Sequence, residues 1–189
     1  ALTLRLDRAA YQLYREAGAS HEQALHNALL CPAFAGTHDA LARGAWELEL
    51  QAPASDRVEL VAMLWPQHDA EWPRGEVNVV EGRVGTGRMM TNLHWPDIDG
   101  QPQHAPEMID LDVARWHRYR IEILPGRLRW VVDGRVVRTL DTPHAPLDTP
   151  VHMVVQAGVN PAIAEDWHPD LEWEHTILFR PLRAPRTLQ

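Results

Sequence analysis

The chain is 189 residues long with 45% hydrophobic and 23% charged residues, the size and balance of one soluble globular domain with a sizeable core. A net charge of −8 argues against a basic, phosphate-tracking surface, so nucleic acid is not an expected partner. No apolar run reaches membrane-spanning length and no signal peptide is visible, although a start at Ala1 rather than methionine fits removal of a leader or upstream segment.

Leu2, Leu4 and Leu6 alternate as a short strand. Ser20 with Gln23 three residues on has capping-box spacing and opens a helix predicted to run to about Leu30. Pro32 and the region of Gly36 break it. Cys31, the one cysteine, closes no internal disulfide, so the redox compartment is left open. From Gly44 onward strand follows strand. Trp46, Leu48 and Leu50 alternate with Glu47 and Glu49, the pattern of a half-buried strand. Val58 to Trp65 is nearly all apolar, which predicts that both its faces are covered. Val77 to Glu81 and Arg88 to Trp95 come next. His117, Tyr119, Ile121 and Ile123 alternate with Arg118, Arg120 and Glu122, a strand with one wet face. Leu128, Trp130 and Val132 lead into Asp133-Gly134 and then Val136-Val137, a hairpin signal. Val151 to Val159 and Leu171 to Phe179 complete the set. Short strands parted by Pro and Gly turns predict an all-β, antiparallel two-sheet sandwich with a short N-terminal helical segment, one domain over 1–189.

Eight tryptophans stand against two phenylalanines. Sugar rings stack on indole faces, but large aromatic side chains are mostly well buried, so most of these are expected in the core. His21-Glu22 with His26 misses the four-residue spacing that puts two metal ligands on one helical face, and no other cluster has ligand spacing; no metal site is assigned. Gly82, Gly85 and Gly87 lie between two strands, which reads as a hairpin connection rather than a phosphate cradle. There is no Gly-x-Ser-x-Gly elbow, so serine nucleophile chemistry has no support.

The segment Trp72-Pro-Arg-Gly-Glu-Val-Asn-Val-Val-Glu-Gly82 carries the chemistry. Glu76 and Glu81 are a carboxylate pair of the kind that glycosidic cleavage uses. On a flat strand Glu76 and Asn78 share a face, whereas Glu81 joins Val77 and Val79 on the other. Two geometries are open. A β-bulge near Val79-Val80 returns Glu81 to the face of Glu76, or the strand ends and Glu81 points into a turn before Gly82.

Gly75-Glu-Val-Asn-Val-Val-Glu81 resembles the bulged Glu-x-Asp-x-x-Glu signature of glycoside hydrolase family 16, the laminarinase- and lichenase-like β-glucanases. The resemblance continues in order. It takes in Arg43 to Pro53, Val61-Ala-Met-Leu-Trp-Pro66, His94-Trp95, His117-Arg-Tyr119, Arg129-Trp-Val-Val-Asp-Gly134 and Pro150-Val-His-Met-Val-Val-Gln156, and Leu171 to Arg180 is placed like the closing strand. It covers about 42–180.

The resemblance implies a concanavalin-like jelly roll with a carbohydrate cleft across one sheet. By it, Glu76 is the nucleophile and Glu81 the general acid/base of a retaining hydrolase or transglycosylase acting on internal β-linkages, such as those of a β-glucan. That route needs the carboxyls about 5–5.5 Å apart, and a proton on Glu81. Trp72, His94, Trp95 and Gln156 are the candidate substrate-binding residues. The chain departs from the family at Asn78, where the signature has Asp. Asn78 is expected to hold Glu76 through an N–H···O bond but brings no charge, which predicts slow catalysis or an acid-shifted optimum. Met63 stands near the family's usual cleft Trp, with Trp65 two residues on, and Ile123 stands where Trp is usual. The alternative is a non-catalytic, lectin-like carbohydrate-binding sandwich in which Asn78 marks lost chemistry. No cofactor is expected. Family members often carry a structural calcium, for which no ligand set is assignable here. The expected partner is a polysaccharide or oligosaccharide, with no membrane, met by a monomer; the resemblance implies a secreted or periplasmic location.

Overall fold

The computed structural model describes residues 1–30, 33–36, 40–55, 57–146, 148–159 and 174–186. Cys31 and Pro32, the side chain of His26, and residues 171–173 of the expected closing strand lie outside them.

In chain order the elements begin with β1 (Leu2–Leu6), α1 (Arg8–Glu16), α2 (His21–Ala28), β2 (Leu29–Leu30), β3 (Ala33–Ala35), β4 (Gly44–Gln51) and β5 (Val58–Pro66). They continue with β6 (Val77–Arg83), β7 (Arg88–Pro96), β8 (Pro102–His104), β9 (Glu107–Asp110), β10 (His117–Leu124), β11 (Arg127–Val132), β12 (Arg135–Asp141), β13 (Val151–Val159) and β14 (Glu174–Arg186). Two antiparallel sheets result. The back sheet runs β12-β11-β10-β4-β14-β1-β2, and the front sheet runs β3-β13-β5-β6-β7-β8 with β9 also paired to β7. The core lies between them and includes Trp46, Leu48 and Leu50 of β4, Leu60 and Leu64 of β5, Val77, Leu93, Tyr119, Ile121, Leu128, Trp130 and Val155. This is the sandwich that the alternation predicts.

Local signals hold where they are self-contained. Ser20 Oγ accepts from the Gln23 amide at 3.1 Å and Gln23 Oε1 accepts from the Ser20 amide at 3.0 Å, a reciprocal capping box. The helix ends at Ala28 rather than Leu30 because Leu29–Leu30 pair with β1. Asp133 and Gly134 adopt φ of 50° and 78°, the left-handed pair that matches hairpin twist.

Four features depart from the sequence reading. Helix α1 is absent from the sequence reading; Tyr11 is its buried residue, while Leu13 and Tyr14 are exposed. Its start is fixed by Asp7, whose carboxylate accepts from the Ala10 amide at 3.0 Å. Strand β5 is not covered on both faces. Val58, Leu60, Ala62 and Leu64 are buried, whereas Glu59, Val61, Met63 and Trp65 are half-buried on the other side, because that side floors a groove rather than facing a second layer. Among the described tryptophans only Trp46 and Trp130 are buried, and Trp72 and Trp116 are exposed. The wet face expected on β10 is also partly closed. Glu122 is buried between Arg120 at 2.6 Å and Arg129 at 2.5 Å. No helix among the described residues is long and apolar enough to cross a membrane.

Candidate active site

The backbone of β6 decides the site. Against β5 the register passes from Ala62↔Val80 to Met63↔Asn78, leaving Val79 extra, and against β7 it passes from Asn78↔Asn92 to Glu81↔Met90. Val79 and Val80 together oppose Thr91, which is a β-bulge. Its consequence is that Glu76, Asn78 and Glu81 line one groove of about 670 Å³ on the front sheet. Gly75 sets the entry. Its φ is +93°, and a Cβ there would meet Thr149 Cγ2 at 3.0 Å and Val151 Cγ1 at 3.1 Å, so only glycine fits that conformation and that gap. The Gly82–Gly87 region is a tight connection between β6 and β7, with Gly87 at φ 67°.

The groove is organised in rows across the strands. Gln156 pairs with Val61, and Val61 with Glu81; Val154 pairs with Met63, and Met63 with Asn78. His152 pairs with Trp65 one step further on. Trp72 donates its indole N–H to Glu76 Oε2 at 2.5 Å, and His94 Nε2 stands 3.6 Å from Glu76 Oε1. His94 Nε2 also lies 2.9 Å from Asn92 Nδ2. The Asn78 amide donates to Glu81 Oε2. Asn78 therefore holds Glu81 and not Glu76, contrary to the sequence reading, because the bulge carries Glu81 back over it while Trp72 and His94 occupy Glu76. The second polar atom of that amide, Asn78 Oδ1, is buried with no partner among the described residues.

Of the substrate-binding candidates, Gln156 lines the groove, while Trp72 and His94 touch Glu76 directly. Trp95 is not brought there. It stacks on His144 with ring centroids 4.8 Å apart and lines a separate pocket of about 190 Å³ with Arg74 and Asp148. The reason is period 2: Trp95 follows His94 and so points to the other face. Sequence reasoning missed Gln67, Asp69 and His152, which line the groove, and left Trp65 unassigned. The signal was available for two of them, since Trp65 continues the Val61, Met63 face of β5 and His152 continues the Gln156, Val154 face of β13. Trp65 Nε1 donates to Asp69 Oδ1 at 2.8 Å.

Glu59 is a further missed acid. Burial raises its pKa above the ordinary carboxylate value, the Glu81 charge adds to this, and Arg83 pulls the other way. Burial pushes the His152 imidazole below its ordinary pKa, against the opposite pull of Asp69. Among the described residues no group of three or more His, Cys, Asp or Glu gathers as a metal ligand set.

The family model described as glycosyl hydrolases family 16 matches residues 18–175. No curated protein matches the sequence. Among solved structures, the chain is similar to LamA from Zobellia galactanivorans in complex with laminaritriose and laminaritetraose, at 16% identity and TM-score 0.60, covering 74% of this chain and 64% of that one. It is also similar to the laminarinase catalytic domain from Thermotoga maritima, at 16% identity and TM-score 0.56, covering 74% and 62%. A non-specific endo-β-1,3(4)-glucanase crystallised with 1,3-β-D-cellobiosyl-cellobiose matches at 13% identity and TM-score 0.63, covering 85% and 64%. The chain spans less than two thirds of the length of each of these structures. At such identities the likeness shows a shared fold.

Proposed function

We propose, from the premise that this chain belongs to glycosyl hydrolase family 16, that it cleaves internal β-linkages of a polysaccharide such as a β-glucan by the retaining, two-step route. The observation that carries the reading is the bulge at Val79, which puts Glu76 and Glu81 on one groove face.

Glu76 is the nucleophile. Its carboxylate attacks the anomeric carbon while the Trp72 indole N–H holds Oε2 and the His94 ring stands beside Oε1, so the attacking group is oriented before substrate arrives. Glu81 gives its proton to the departing glycosidic oxygen as that bond breaks. In the second step it takes a proton from water, or from an acceptor sugar hydroxyl, as the glycosyl–Glu76 ester opens. Asn78 serves Glu81 in both forms. Its N–H donates to the carboxylate, and with the amide turned over its Oδ1 accepts from the acid O–H. An amide does this without adding charge, which favours a slow enzyme over an inactive one.

The neighbours crystallised with oligosaccharides support a sugar as partner, and a polysaccharide substrate is consistent with a secreted or periplasmic protein. The expected species is a monomer. Asn78 also favours a second reading, a carbohydrate-binding sandwich without turnover. Incubating purified protein with a panel of β-glucans and galactans and counting reducing ends decides between them. Release from a β-glucan, lost in Glu81→Gln with sugar affinity kept, supports the enzyme. Binding without release under all conditions overturns it in favour of the second reading.

A further inference from the structure

The far end of the groove has chemistry that the two-carboxylate mechanism does not use. Trp65 lies one residue beyond Leu64, which pairs with Val77, so it stands abreast of Glu76, and its other neighbour across the sheet is His152. Asp69 holds the indole N–H at 2.8 Å, which locks the ring in place as part of the groove lining. His152 is only 4% exposed, and among the described residues its Nδ1 has no hydrogen-bond partner; Gln67 Oε1, in the same lining, is likewise buried and without one among them. Two orphaned polar atoms beside an aromatic platform are unusual in a folded interior, where such groups are nearly always paired. A sugar hydroxyl is both donor and acceptor, so one ring resting on Trp65 can satisfy both atoms.

The charges in the groove restrict which sugar. Among the described residues its lining contains Asp69, Glu76 and Glu81 and no Lys or Arg. Burial keeps His152 uncharged near neutral pH, so it adds no compensating positive charge. A sulfate ester or uronate would enter a wholly acidic, partly desolvated channel.

We propose that Trp65, Gln67 and His152 form a binding position for one neutral sugar unit next to the unit held at Glu76, and that the groove thereby selects uncharged glycans over anionic ones. This rests on the groove being the carbohydrate site proposed above, but not on its turnover.

The test is isothermal titration of the full chain carrying Glu81→Gln, to prevent cleavage, against neutral laminaritetraose, cellotetraose and an agarose-derived tetrasaccharide, and against a sulfated carrageenan tetrasaccharide. At least one neutral ligand is expected to bind roughly tenfold or more tighter than the sulfated one. Adding His152→Leu should weaken that ligand about tenfold, with His152→Gln recovering part of the loss and Gln67→Ala weakening it less. Gln67 is only half-buried, so its variant keeps the test open if His152→Leu does not fold. Equal or tighter binding of the sulfated ligand, no neutral ligand bound, or unchanged affinity in the folded His152 and Gln67 variants overturns the proposal. The expected pattern without any reducing-end release by the unmutated chain would overturn the hydrolase reading alone. Turnover of a neutral glucan with KM unchanged in the His152 and Gln67 variants would overturn this proposal alone.

Discussion

Trp130 on β11 of the back sheet donates its indole N–H to the backbone carbonyl of Asn78, 2.9 Å away, at the residue where β6 bulges. Its cross-strand partner Arg138 does the same for the opposing strand. Arg138 Nη1 donates to the Thr91 carbonyl at 2.9 Å and hydroxyl at 3.0 Å, Nη2 donates to the Ala105 carbonyl at 2.7 Å, and the guanidinium sits 4.5 Å over the Trp130 ring. A bulge disrupts the ladder, and here the second sheet supplies donors at that point. The acid pair is therefore aimed from behind.

Trp130→Phe keeps most of the packing but strips the donor from a buried carbonyl. The expected cost is about 1–3 kcal/mol, read as a lower urea midpoint. Because the bulge loses its anchor, kcat should fall more than KM rises. A variant with reduced stability but unaltered kcat would show that the bulge holds its shape without Trp130.

Gly75→Ala forces a side chain into a positive-φ residue whose Cβ would meet Thr149, Val151 and Pro66 at 3.0–3.2 Å. The expected loss is about 1–3 kcal/mol. Glu76 is the next residue, so the folded fraction should also be catalytically poor. Full activity per folded molecule would mean that the strain relaxes away from Glu76.

Asn78→Asp replaces the amide donor to Glu81 with a second carboxylate. Two carboxylates in contact share a proton rather than ionise together, so the alkaline limb of the activity profile should move to higher pH and turnover should rise. An unaltered profile removes the case that Asn78 limits this site.

His152 gives a pH signature in stability. Its folded pKa lies below the ordinary 6.5 because of burial, so between those values the unfolded chain binds the extra proton and stability rises with pH. The contribution is complete above about 6.5 and is lost as pH falls through the folded value. Urea midpoints measured between about pH 7 and about pH 5 should drop more in the unmutated protein than in His152→Gln. Parallel drops would place His152 in contact with solvent.

Most strands were legible because alternation is a local property: Trp46, Leu48 and Leu50 point inward in any fold that buries one face of β4. The capping box at Ser20 and the hairpin at Asp133-Gly134 were legible for the same reason, since each closes its hydrogen bonds or its turn within a few residues. The acid pair could be named from the sequence, but not aimed.

Aim was decided by tertiary structure. Whether Glu81 faces Glu76 depends on one inserted residue at Val79, and a period-2 pattern reads equally well on either side of such an insertion. The choice is settled by the registers of β5 and β7 and by donors from Trp130 and Arg138, which are far away in sequence. The same non-locality brought Asp69 into the groove and made one face of β5 a floor rather than a core layer. The candidate acids and the strands that hold them could be read along the chain, because side-chain type and alternation are local properties. Only the packing of one sheet on the other decided where those residues point, because that is fixed by hydrogen bonds closed between strands that the chain order does not place together.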